Sequence, residues 1–222
     1  VLFSNKGIDG MTNFIPLFPL GIVVFPGEKL NLHIFEPRYK QLISDCFEQK
    51  KPFGILPVVD NKVCEMGTLV LISEISNIYD DGKMDIKTEG QEIFKILEFI
   101  RELPDKMYSG AIVTYPENDY RGSASLMKKV MHGIRKIHES IGVSKNFYKE
   151  DEALLSYDVA HHAGLSIAEE YQLLEFMKEL HRQEFLKRHL VKVLPVLKEM
   201  EDLRGKIKLN GHFKNLEGFK YS

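Results

Sequence analysis

The 222-residue chain reads as an α+β protein, a small antiparallel β barrel with one helix followed by a C-terminal α-helical bundle. Three observations predict this. Over residues 14–115 the apolar side chains recur mainly with the period of two that loads one face of a strand. Beyond Pro116 the period lengthens to about 3.6, as helices buried on one side require. Glu117, Asn118, Asp119, Arg121 and Gly122 form a polar junction between the two regimes. The expected organisation is a flexible leader over residues 1–13, a β-rich part over 14–116, a helical bundle over 117–205 and a tail over 206–222.

In the β-rich part, Pro16, Pro19 and Pro26 interrupt a run of Ile, Leu, Val and Phe, so neither a helix nor one long central strand is expected there. The chain must turn repeatedly while staying buried. After Gly27 the alternation of LNLHIF places Leu30, Leu32 and Ile34 on one face and Asn31 and His33 on the other. Pro37 suits the first turn of a helix, which is expected to reach Gln49 with Leu42, Ile43, Cys46 and Phe47 on its buried side. Residues 50–54 return the chain to strand. Leu69, Leu71, Ile75 and Ile78, then Asp80, Asp81 and Gly82, then Met84 and Ile86 read as a hairpin. Residues 93–100 and 108–115 are expected to be two further strands, separated by Leu103, Pro104 and Asp105. About six short strands with one helix suggest a closed or nearly closed barrel.

In the helical part, Ser123 can cap a helix whose Leu126, Val130, Ile134 and Ile137 share a face and which ends near Gly142. Asp151 is expected to start a second, with Leu154, Leu155, Val159 and Ala163 inward and Gly164 past its end. Ser166 and Glu169 have capping-box spacing, so a third should begin at Ile167 and carry Tyr171, Leu174, Met177 and Leu180. A last amphipathic run over residues 183–203 meets Pro195, whose lost hydrogen bond and ring clash, worth about 3 kcal/mol, predict a kink or break near residues 191–194.

Composition excludes several classes. A formal net charge of −2 and a pI near 6.5 provide no global field toward nucleic acid or an anionic membrane. Residues 1–115 carry 12 basic and 16 acidic groups and the remainder 18 and 16, so neither half is a basic module. Cys46 and Cys64 match no zinc or redox spacing and read as cytosolic thiols. No apolar run reaches the roughly 18–20 residues of a membrane span. The first ten residues lack a secretory n-region and h-region, and Met11 offers an alternative start. A cytoplasmic location follows by default.

The segment PLFPLGIVVFPGEKLNLHIFEPRY (residues 16–39), followed in order by FGIL at 53–56, MGT at 66–68, the Asp81–Gly82 turn and the Glu89–Gly90 pair, resembles the N-terminal substrate-handling domain of the Lon protease family. Similarity continues through LLSYDVAHHAGLSIAEEYQLLEFMKELHRQEFLKRHL (154–190), like the helical segment that follows the β-rich part of Lon. The resemblance implies a PUA-like pseudobarrel in a stand-alone member. No GxxxxGK(S/T) loop is present to cradle phosphates, and no segment corresponds to the Lon serine and lysine, so neither ATP hydrolysis nor Lon-type proteolysis is expected.

Other chemistry finds little support. The adjacent His161 and His162 would point about 100° apart on a helix, and no HExxH occurs, so no metal and no cofactor are expected. G-x-S-x-G is absent, and Cys46 sits on an inward helix face as a small core residue, so no catalytic residue is assigned. Residues 178–192 hold five Lys or Arg against two Glu, which reads as a solvated helix face, with RNA binding as the alternative. The tail, with Phe213, Phe219 and Tyr221 among lysines, is expected to pack along the barrel, a docking peptide being the other option.

Glu36 and Arg38 are expected to fix the strand-to-helix junction. The resemblance places Phe35, Arg38, Tyr39 and Lys40 at an exposed helix start, the surface implied for polypeptide contact. The expected function is therefore non-catalytic binding of unfolded or exposed polypeptide segments, as an adaptor that works with a separate protease. The alternatives are an RNA-binding barrel and an unrecognised hydrolase, which would need a concave pocket with converging polar groups.

Overall fold

A computed structural model describes residues 13–214, with side chains described through Ile207, and the chain divides into two units. The first comprises the chain up to Asp119 together with residues 166–177, and the second comprises residues 120–165 and the chain from Lys178 onward.

In the first unit, β1 (Phe14–Leu20) changes partner midway. Residues 14–16 pair antiparallel with β7 (Gly110–Thr114), and residues 17–20 pair parallel with β3 (Phe53–Val59). Pro16 and Pro19 therefore sit inside a seven-residue strand, each where a ladder donor is dispensable, and the repeated turning expected of this segment begins only after Leu20. The long strand β6 (Met84–Ile100) pairs along one edge with β5 (Met66–Ile78), and along the other with β2 (Lys29–Ile34) and then β7. β5 also pairs with β3, so the order β1–β7–β6–β5–β3 returns to β1 and the barrel is closed. One of its seams, β1 with β3, is parallel in an otherwise antiparallel sheet. Residues 93–100 are the second half of β6, continuous with the hairpin strand, because β6 trades its β2 partner for β7 without ending. A two-residue strand, β4 (Lys62–Val63), folds back on β3 through Asp60 and Asn61, both at positive φ, a turn that the apolar periodicity does not reveal.

Along β3, the middle of β1 and the start of β5 both faces of the sheet are buried, which explains why these strands read as near-continuous apolar runs. Phe18, Ile55 and Val70 join Tyr39, Leu42, Ile43 and Cys46 of α1 (Pro37–Gln49) in one cluster, while Leu17, Leu56, Leu69 and Phe94 form another. Phe47, expected inward, is 43% exposed because it lies one position off the stripe of residues 39, 42, 43 and 46. The glycines of FGIL and MGT have a steric cause. A Cβ on Gly54 would lie 2.6 Å from the Phe94 ring, and one on Gly67 would collide with the Ile55 carbonyl and the same ring. α4 (Ile167–Glu175) belongs to this unit: the Met66 N–H donates to Tyr171 Oη at 3.3 Å, and Leu173 and Leu174 are buried. Its capping box forms as expected, Ser166 Oγ accepting from the Glu169 N–H at 3.3 Å while Glu169 accepts from the Ser166 N–H at 2.8 Å. The helix stops at Glu175, where Phe176 is extended, so Met177 and Leu180 fall beyond it.

In the second unit, α2 (Ala124–Ser140) is capped by Ser123 and buries Leu126, Val130, Ile134 and Ile137, as the period required. The single helix expected from Asp151 is three pieces: a 3-10 turn at Asp151–Ala153, the short α3 (Ser156–Val159) and a second 3-10 turn at Ala160–His162. Asp158 accepts the Leu155 N–H at 2.8 Å, the donor that a continuous helix would have given to the Asp151 carbonyl. α5 (Glu179–Lys214) runs through Pro195 without a break. Pro195 frees the carbonyl of Val191, a residue 65% exposed, where water can satisfy it. Helix therefore continues into the expected tail as far as Lys214, and residues 215–222, like the leader before Asn13, lie outside the described residues. The unit's core includes an ion pair between Arg182 and Glu179, both fully buried.

Candidate functional site

A surface feature of the first unit lies where β6 leaves its ladder. The β6–β7 register shifts between Ile96 and Glu98, so Leu97 is an extra residue, and it stands 66% exposed. Such a bulge bends the strand and re-aims the side chains beyond it. Two residues on, Phe99 is 42% exposed although it is a strand residue. The connection to β7 then turns at Leu103–Lys106, with Asp105 at positive φ, and presents Met107 at 59% exposure.

This connection is tied down to α1. The Gln41 side chain donates to the Asp105 carbonyl at 3.1 Å and accepts the Met107 N–H at 2.7 Å. Asp45 accepts from both Lys106 Nζ and Tyr108 Oη at 2.7 Å. Burial pulls the Asp45 carboxyl upward, but the hydrogen bonds from Lys106 and Tyr108 outweigh it and hold the group below the ordinary carboxylate range. The Tyr108 phenol is pushed up, by burial first and then by its bond to Asp45. An exposed methionine is thus mounted on a held backbone.

Between this connection, β1 and the start of α1 lies a hollow of about 280 Å³. Pro19, Phe99 and Met107 supply apolar surface, Tyr39, Tyr108 and Ser109 line it further, and Arg38 and Arg101 bring two guanidinium groups. Glu36, the residue before Pro37, accepts from Arg38 Nε at 2.9 Å and Nη2 at 2.7 Å. The guanidinium lies over the Tyr39 ring, 4.5 Å from its centroid. Tyr39 itself is 7% exposed and packs on Phe18 with ring centroids 4.1 Å apart. The expected Glu36–Arg38 ion pair is present, and it orients a residue that the hollow uses.

The four residues expected to contact polypeptide separate in space. Arg38 and Tyr39 line the hollow. Phe35 is 59% exposed and stacks beside His33, whose Nδ1 lies 2.7 Å from Asp85 Oδ1. Lys40 donates to the Asp81 carbonyl at 3.0 Å, at the β5–β6 turn. Sequence reasoning missed Phe99, Arg101 and Met107, because Leu103, Pro104 and Asp105 read only as a separator between strands. Two exposed apolar residues flanking a short turn were the available signal.

A second hollow, of about 750 Å³, lies in the second unit between α2 and α5 and is lined by Lys136, Glu139, Val191, Leu194, Pro195 and Leu197, among others. Among the described residues, no group of three or more His, Cys, Asp or Glu is placed to hold a metal ion. Burial pushes the Cys46 thiol up to about 12, which leaves it un-ionised at neutral pH. No helix of the described residues is long and apolar enough to cross a membrane.

The closed barrel with one parallel seam, its single inserted helix and the helices after it can be set beside known proteins. A family model described as the substrate-binding domain of the ATP-dependent protease La (Lon) matches residues 15–192. The chain belongs to the Lon substrate-binding domain family. A Lon protease of Vibrio parahaemolyticus is 25% identical over 210 residues, which cover 87% of this chain and 26% of that protein, so the chain spans about a quarter of this relative's length. Among solved structures, the Lon N-terminal domain protein of Xanthomonas campestris superposes with a TM-score of 0.60 at 23% identity, over 78% of this chain and 96% of that one. The N-terminal domain of the Mycobacterium avium complex Lon protease does so with a TM-score of 0.59 at 14% identity, over 80% and 98%. These likenesses support the Lon N-terminal fold, α+β with an antiparallel sheet, that residues 16–39 suggested.

Proposed function

We propose that this chain binds polypeptide without transforming it, taking an apolar side chain of an extended or unfolded segment into the hollow beside Phe99 and Met107. The observation that carries the reading is the pairing of exposed apolar side chains with a tethered backbone. Met107 is 59% exposed, yet its own N–H and its neighbours Asp105, Lys106 and Tyr108 are all bonded to α1. A surface held in this way loses little conformational entropy on binding. Family membership supports the same reading, since the matching model is described as substrate-binding. Service as an adaptor for a separate protease, in the cytoplasm, is the role we assign to such a binder.

Fluorescence anisotropy with a labelled, permanently unfolded protein tests this. Binding on the order of micromolar is expected, and Met107→Asp should weaken it roughly tenfold or more, the worth of burying one large apolar side chain. No binding to unfolded chains, or binding indifferent to Met107→Asp, would contradict the proposal.

A further inference from the structure

We infer that the hollow selects a segment in which an Asp or Glu stands next to the apolar residue, so that its preferred ligand is an acidic-flanked apolar peptide. This rests on the polypeptide-binding reading and gives it a specificity.

Size comes first. A volume of about 280 Å³ falls just below the roughly 300–1,000 Å³ of sites for drug-sized ligands, and suits a single large side chain. Charge is the second observation. The lining residues include two arginines and, among the described residues, no carboxylate. Glu36 offsets Arg38, so Arg101 is the cation that the hollow adds to a stretch, residues 1–115, with 16 acidic groups against 12 basic. A segment bearing Lys or Arg gains nothing here from proximity to Arg38 and Arg101. A segment bearing a carboxylate gains chiefly at Arg101, with the free donors of Arg38, already paired with Glu36, adding to it.

Geometry makes the preference specific to a carboxylate. Arg38 is oriented before any ligand arrives, by Glu36 on its Nε and Nη2 edge and by the Tyr39 ring beneath it. A guanidinium has five donors, so others remain for a second acceptor. Arg101 is exposed and makes no ion pair among the described residues. A carboxylate beside the hollow can take a two-pronged bond from a planar guanidinium, which a lysine ammonium does not reproduce. The apolar side chain then sits on Phe99, Met107 and Pro19.

Anisotropy with labelled peptides, acetylated and amidated and of equal length, tests the inference with the full chain. Each has a central Phe flanked by Glu, by Gln or by Lys, and a fourth is neutral with a free C-terminal carboxylate. The Glu-flanked peptide should bind about tenfold tighter than the Gln-flanked one, with the Lys-flanked peptide weakest. The advantage should shrink as salt rises. Arg101→Gln and Arg38→Gln should each narrow the Glu-to-Gln ratio toward one, and Arg38→Lys should not restore it. Both arginines are exposed, and circular dichroism verifies that the variants fold. Equal affinity for Glu-flanked and Gln-flanked peptides overturns this inference and leaves the polypeptide-binding reading standing. An advantage confined to the free C-terminus overturns the side-chain assignment. Binding of none of the four overturns both readings.

Discussion

Replacing Glu179 with alanine should destabilise the chain far more than an ordinary ion-pair deletion. Glu179 and Arg182 have side chains with no exposed surface, and Arg182 Nε donates to Glu179 Oε2 at 3.0 Å. The other carboxylate oxygen accepts from the Ser156 N–H at 2.8 Å and Ser156 Oγ at 2.7 Å, stitching α5 to the start of α3. Arg182 also lies 4.2 Å from the Tyr157 ring centroid and 5.7 Å from that of Tyr120, so the guanidinium cannot swing out to water without vacating an aromatic slot. Alanine therefore removes the Glu179 carboxylate from a fully buried cation and leaves two Ser156 donors without this acceptor. The expected loss is about 3–5 kcal/mol, a large share of the roughly 5–15 kcal/mol that stabilises a typical domain. The Glu179→Met, Arg182→Met double variant should recover much of it, because neither charge of this pair then has to be buried. Urea unfolding followed by far-ultraviolet circular dichroism measures both. A loss under about 1 kcal/mol, the worth of an exposed pair, would refute the reasoning. So would a double variant less stable than the single one.

Three further outcomes are expected. Gly67→Ala should destabilise by about 1–3 kcal/mol in a thermal melt, and adding Phe94→Leu should not rescue it, since the Ile55 carbonyl that the new methyl meets is backbone. His162 is held down to about 4, by burial first and then by Lys145, His138 and His161, so between about pH 6.5 and 4 the unfolded chain binds a proton that the folded chain refuses. Stability should therefore fall as pH drops through that window, and His162→Gln should flatten the dependence measured by urea titration. Alkylation at pH 8 followed by mass spectrometry should label Cys64, which is partly exposed, well before Cys46, which is buried with its thiol pushed up to about 12.

The parts of the fold legible in the sequence were those with local causes. Pro37 with Leu42, Ile43 and Cys46 marks α1, Ser123 marks the start of α2, and the Ser166–Glu169 box marks the start of α4. Asp81 and Gly82 mark the hairpin because the turn holds Gly82 at positive φ and Asp81 accepts the Lys83 N–H. What escaped depends on contacts distant in sequence. The continuity of β6 comes from its exchange of β2 for β7, and the placement of α4 in the first unit comes from its packing on β3 and β5. The site was half legible for the same reason. Arg38 and Tyr39 came with a recognisable segment, whereas Phe99, Arg101 and Met107 acquire meaning only when Gln41 and Asp45, some sixty residues earlier, hold their connection in place.

Photo-crosslinking tests polypeptide capture at the hollow most directly. A benzophenone side chain is placed at Met107 in one variant and, as a control, at Tyr148, which is 80% exposed in the second unit. With a labelled unfolded protein present, crosslinks should form mainly from position 107 and be suppressed by excess unlabelled unfolded chain. Equal yields from the two positions, or a yield at 107 that competitor leaves unchanged, would contradict a binding site there.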